Sequence, residues 1–80
     1  MDPAEARMHA ARLAPSFPIT VTKVGDSYRA TPDHFPFLSS SDESPEQARS
    51  YAYHLLMTTL VCRLIDDRPI PEVPAAATQG

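Results

Sequence analysis

Apolar and polar residues alternate with a period of two in two runs of this chain. Phe17, Ile19 and Val21 alternate with Pro18, Thr20 and Thr22, and Tyr28 and Ala30 share one side of the run Ser27 to Thr31. That period belongs to strands with one buried face. Pro18 has no amide hydrogen to donate, which places it at the start of the first strand or on an edge. Gly25-Asp26, between the runs, suits a two-residue hairpin turn. The prolines of Pro32-Asp33-His34-Phe35-Pro36-Phe37 impose a turn, in which Phe35 and Phe37 share a side if extended. A short third strand is expected near Phe37 to Ser40.

On either side of these strands the pattern becomes helical. Asp2-Pro3-Ala4-Glu5 combines an N-cap aspartate, a first-turn proline and an early acid, so a helix is expected over residues 3 to 13. Its large apolar residues are Met8 and Leu13. Ser44-Pro45-Glu46-Gln47 reads as a second helix start, with Gln47 placed to complete a capping box. Nothing breaks that helix from Pro45 to about Ile65, a length of roughly 30 Å. Ala48, Tyr51, Ala52, Leu55, Thr59 and Cys62 are expected to form its sheet-facing side. Met57, Val61 and Leu64 make a second apolar stripe at i, i+4, i+7. Either the N-terminal helix or another subunit must cover it; a subunit interface, with a dimer as the simplest oligomer, is the expectation.

The tail holds Pro69, Pro71 and Pro74, which exclude helix and favour an extended path with a short edge strand at Ile70 to Val73. The expected architecture is α+β. A small antiparallel sheet of three strands is packed by one long helix and preceded by a short N-terminal helix, around a β-β-β-α core. Residues 1–15 form the N-terminal helical segment, 16–74 the α+β domain and 75–80 a disordered tail.

Eighty residues allow one domain with a modest core. Cys62 is the single cysteine, so no disulfide forms within the chain, and its apolar neighbours suggest a buried structural thiol. There is no apolar signal core at the start and no run long enough to cross a bilayer, so an intracellular, cytoplasmic protein is expected. Seven Lys and Arg against ten Asp and Glu give a net charge of −3, and the basic residues are scattered. Direct nucleic-acid binding is therefore disfavoured, and a basic protein partner suits the balance better.

Few residues suggest chemistry. His9, His34 and His54 lack metal-ligand spacing, and one cysteine satisfies no zinc pattern. Asp33-His34 is the most site-like pair, although a turn aspartate beside an exposed histidine is the plainer account. Two glycines leave no phosphate-cradling loop. The pairs Asp42-Glu43 and Asp66-Asp67 read as solvated charge flanking a helix. No metal, cofactor or catalytic residue is expected.

The order of these features resembles the HicB-like antitoxin domain. Its strand pair is followed by a Pro-Asp turn, here Pro32-Asp33. The Gly-Asp-Thr that opens its helix, followed by a Glu and an Ala, is similar to Ser41-Asp42-Glu43-Ser44-Pro45-Glu46-Gln47-Ala48, with Asp42, Glu46 and Ala48 as the matching positions. Its Ile-Pro-x-Pro exit is similar to Ile70-Pro71-Glu72-Val73-Pro74. The resemblance spans Phe17 to Pro74. It implies a truncated RNase H-type sheet and helix without catalytic carboxylates, which neutralises a small basic RNase toxin. Many members add a C-terminal DNA-binding domain, for which this chain, ending at Gly80, is expected to have no room.

Two functions of one class follow, with Phe35, Phe37, Asp42 and Glu43 as candidate partner contacts. One is an antitoxin-type inhibitor. The other is a phage-encoded anti-defence or regulatory protein that blocks a larger host complex with the same fold. For the two phenylalanines, ordinary core packing is the plainer reading. A small RNase H-like enzyme would need several carboxylates on the strands, which carry almost none.

Overall fold

The computed structural model describes residues 1–71. Helix α1 runs over Pro3–Leu13, strand β1 over Ile19–Val24, β2 over Ser27–Pro32, β3 over Ser40–Asp42 and helix α2 over Pro45–Ile65. One-turn 3-10 helices occupy Ala14–Ser16 and Pro36–Leu38. This is an α+β arrangement: a short helix, three antiparallel strands in the order β1-β2-β3, then a long helix.

The hairpin register follows from its turn. Gly25 has φ 62°, whereas Asp26 is not in the positive-φ region. Positive φ at the first central residue alone belongs to a type II′ turn, whose twist matches the flanking strands. Val24 pairs with Ser27, Val21 with Ala30 and Ile19 with Pro32. Ile19, Val21, Tyr28, Ala30 and Pro32 thereby face α2, while Thr20, Thr22 and Arg29 face outward and are exposed. β3 adds Asp42 opposite Tyr28 and Ser40 opposite Ala30.

The expected third strand forms, but it begins only at Ser40, where the expected segment ends. Pro36 starts a single 3-10 turn, closed by the Leu38 N–H donating to the Phe35 carbonyl at 2.9 Å. The chain is therefore coiled at Phe37 and becomes extended only from Ser39. Phe35 and Phe37 consequently do not share a side: Phe35 is buried and Phe37 exposed.

α2 buries Ala48, Ala52, Leu56 and Leu60. The ridge is small at one end and large at the other. Ala48 and Ala52 meet Ala30 beneath Ile19, Val21 and Tyr28, so the first half of the helix lies close to the strands. Leu56 and Leu60 fill the wider end with Phe17, Phe35, Ala10 and Ala14. The sheet-facing set expected from the sequence is corrected accordingly. Ala48 and Ala52 belong to it, but Tyr51 and Leu55 are exposed, and Leu56 and Leu60 take the core positions. The i, i+4 ridge continues along 48, 52, 56 and 60, and Tyr51 and Leu55 lie to one side of it.

α1 packs on α2 through alanines. Ala6 and Ala10, with Ala14 just beyond the helix, form a smooth i, i+4, i+8 ridge that is fully buried, while Met8 is 59% exposed. Met57, Val61 and Leu64 are half-buried against the cluster that contains Ala10 and Ala14. The N-terminal helix thus covers part of the stripe expected to meet another subunit, and Met57 and Val61 still line a groove between the two helices. Residues 1–15 hold α1 and the start of the 3-10 turn, and they pack on α2 through these alanines.

Both helix starts are capped. Asp2 Oδ2 accepts from the Ala4 and Glu5 N–H groups at 3.0 and 3.3 Å. Ser44 Oγ accepts from the Gln47 N–H at 3.3 Å. The other half of the expected capping box is supplied differently: Asp42 Oδ2, and not Gln47, accepts from the Ser44 N–H at 3.0 Å. A carboxylate held two residues away is the stronger acceptor for that donor. Ser44→Ala should cost about 1 kcal/mol. Thermal melting followed by circular dichroism should therefore show a drop of roughly 4–8 °C; an unchanged midpoint would mean that the cap contributes nothing.

α2 ends in a Schellman arrangement. Arg68 N–H donates to the Arg63 carbonyl at 2.7 Å and Asp67 N–H to the Leu64 carbonyl at 3.4 Å, with Asp67 at φ 55°. Arg63 Nη1 then donates to the Pro69 carbonyl at 2.9 Å, and Ile70 packs on the core. The expected edge strand does not form at Ile70 or Pro71. Its remaining residues and the tail 75–80 lie outside the described residues. Among the described residues no helix is long and apolar enough to cross a membrane.

Candidate partner-binding surface

An aromatic ladder connects the core to the surface where β2 crosses to β3. Phe17 stacks on Phe35 with ring centroids 5.8 Å apart, and Phe37 meets Phe35 edge-on at 6.0 Å. The His34 ring meets Phe17 edge-on at 5.4 Å, and its Nδ1 is buried without a hydrogen-bond partner. The Arg63 guanidinium lies 5.2 Å from the Phe35 ring centre, a cation–π contact that also ties α2 to the turn. At the outer end stands Phe37, 69% exposed. It is a large apolar side chain that contacts the core through the edge of the Phe35 ring and otherwise meets solvent.

The four residues nominated as partner contacts therefore separate. Phe35 is core, as the plainer reading had it, and Asp42 is half-buried and occupied in holding the Ser44 N–H. Phe37 and Glu43 are exposed. Around the α2 start, the Ser44 hydroxyl donates to Glu46 Oε1 at 2.9 Å. A hydrogen bond from its own backbone N–H, then this one from Ser44, hold the Glu46 carboxyl below the ordinary range. The start of α2 thus carries stable negative charge.

Asp33-His34 resolves into a structural pair. Asp33 Oδ1 accepts from the Thr20 hydroxyl at 2.6 Å, and the Asp33 N–H donates to the Pro18 carbonyl at 2.9 Å, which pins the start of β1 to the end of β2. Among the described residues no three His, Cys, Asp or Glu side chains converge as a metal site would require. Cys62 is exposed, contrary to the expectation of a buried thiol. Its buried neighbour Leu60 lies on the core face of the helix, whereas Cys62 shares an exposed face with Leu55 and Ile65.

Another surface was not anticipated. Tyr51, Leu55, Thr58, Cys62 and Ile65 are all exposed along α2. Alongside Thr58 and Cys62, a groove of about 340 Å³ opens between α1 and α2, lined by these two residues with Arg7, Met57 and Val61. Two signals in the sequence mark this face: the alternating spacing of four and three, and the absence of any Asp, Glu, Lys or Arg between Arg49 and Arg63.

No family model, curated protein or solved structure matches the chain.

Proposed function

We propose that this chain is a non-catalytic inhibitor that binds a protein partner, in the manner of a HicB-type antitoxin masking a small basic RNase. The carrying observation is Phe37, an exposed ring anchored on Phe35 at the crossing from β2 to β3. Aromatic side chains are frequent anchors in protein interfaces. Glu43 and the charged start of α2 add acidic groups suited to a basic partner, in keeping with the net charge of −3.

The test is a pull-down from the native host with wild-type and Phe37→Ala baits. The wild-type chain is expected to recover a small basic nuclease and to suppress its RNA cleavage when added in excess. Loss of the ring should weaken that complex on the order of 30-fold, as for an interface anchor of about 2 kcal/mol. Equal recovery by both baits would remove Phe37 from the interface. Recovery of a large host complex instead of a nuclease would replace the antitoxin reading with that of a blocking protein.

A further inference from the structure

We propose that the groove between α1 and α2 binds a small apolar carboxylate of the size of a medium-chain fatty acid. Arg7 holds its carboxylate, and Met57 and Val61 meet its chain. The groove shares no residue with the Phe37 surface, so the inference does not depend on which partner that ring binds.

The first support is the lining. Ala6 and Ala10 bring α1 onto α2, but their methyl groups do not cover the whole side of α2, and Met57 and Val61 remain half-buried. The groove of about 340 Å³ runs along these two residues, with Thr58 and Cys62 of α2 and Arg7 of α1 completing it. Small-molecule sites start at about this volume, and they combine apolar walls with a few polar groups that fix orientation. Covering Met57 and Val61 removes apolar surface from water. The stem of Arg7 adds methylenes to the same wall.

Charge selects the occupant. Arg7 is the one charged residue that lines the groove. No Asp or Glu stands three or four positions from it on α1, and α2 has none between Glu46 and Asp66. Its guanidinium therefore has no ion pair along its own helix to break when a ligand arrives. One guanidinium matches one carboxylate, with two N–H groups donating to two oxygens. A phosphate monoester would leave charge unmatched, and a cation would be repelled. The Thr58 hydroxyl is a further donor. Because Arg7 is exposed, water screens the pair: the chain of the ligand supplies most of the affinity and the charge fixes its direction.

The magnitudes set what to expect. A fully buried methylene tightens binding about fourfold. In a groove open on one side about twofold per methylene is expected, so decanoate should bind on the order of 15-fold more tightly than hexanoate. An exposed ion pair is worth up to about fivefold, which sets the preference for decanoate over decanol. Together these place the dissociation constant for decanoate on the order of a millimolar or somewhat below.

An NMR titration of the full chain with decanoate, alongside thiol labelling of Cys62, tests the proposal. The methyl signals of Met57 and Val61 should shift to saturation while those of Leu56 stay in place. Cys62 lines the groove and is exposed, so a neutral alkylating reagent should label it more slowly as decanoate binds. Decanol should protect it about fivefold less well at equal concentration, and decylamine least of all. Arg7→Gln should keep the dependence on chain length and lose the preference for the carboxylate. Thr58→Trp, which fills the groove from an exposed position, should abolish the methyl shifts. Absence of shift and protection up to about 5 mM decanoate would overturn the inference. So would equal protection by decylamine, an Arg7→Gln variant that still prefers decanoate, or shifts spread over the whole spectrum as from a detergent. A response to anionic phospholipid vesicles but not to decanoate would overturn it in favour of a lipid surface.

Discussion

Leu56→Ala is expected to remove about 3 kcal/mol of stability, while Leu55→Ala, one residue earlier, should cost about 1 kcal/mol or less. Leu56 is fully buried among Leu60, Phe17, Phe35 and the alanines of α1, whereas Leu55 is 40% exposed. Truncating a buried leucine loses its transfer free energy and leaves a cavity that rigid neighbours only partly refill. Here the neighbours are two stacked phenylalanine rings, which have little room to relax inward. Total stability for a domain is of the order of 5–15 kcal/mol, so the substitution takes a large share of it. The melting temperature should fall by about 12–24 °C, at roughly 4–8 °C per kcal/mol for a chain of this size. Denaturant unfolding of the two variants checks the contrast. Similar midpoints would mean that α2 is rotated about its axis from the orientation described.

That pair of leucines also marks how far the sequence could be read. Strand alternation, the Gly25-Asp26 turn and both proline-started helices were legible because each depends on local chemistry. Period, caps and the rigidity of proline act over a few residues, and the limits of α1 and α2 follow from them directly. The rotation of α2 is not local. Residues 51 to 62 are apolar or neutral on nearly every side, so no polar face points outward to fix the core by contrast. The structure fixes it by what is available to pack: small Ala30 under Ala48 and Ala52, and bulky Phe17 and Phe35 around Leu56 and Leu60.

The same limitation governed the candidate contacts. Phe35 and Phe37 are two residues apart, and in an extended chain they would point the same way. The single 3-10 turn begun by Pro36 separates them, turning one into core and the other into an exposed ring. Proline made a turn there predictable, but its effect on the direction of Phe37 required the position of Phe35 in the core. In α1 the misleading feature was size. Met8 and Leu13 drew attention as the large apolar residues, yet close helix packing is made by Ala6, Ala10 and Ala14. Methyl groups permit the backbones to approach, and Met8 is left outside.

Met57→Glu together with Val61→Glu should abolish the docking of α1 and cost about 3 kcal/mol or more, with loss of cooperative unfolding. Both side chains are half-buried against the cluster that includes Ala10 and Ala14. Two carboxylates there would be drawn partly from water, and the groove they line offers them a single basic residue, Arg7. At i, i+4 they would also repel each other. Once released, α1 is short enough that an isolated helix of its length is marginal in water. The helical signal should therefore fall by more than two substituted residues explain. Leu55→Glu is the control, since it adds a like charge to the same helix on the outer stripe, where the side chain already meets solvent. It should keep the wild-type helical signal and the thermal midpoint of the single chain. If the double variant melted like Leu55→Glu, Met57 and Val61 would not be covered by α1, and a second subunit would again be needed to explain their apolar stripe. If it unfolds as expected, Met57 and Val61 belong to the packing of α1 on α2.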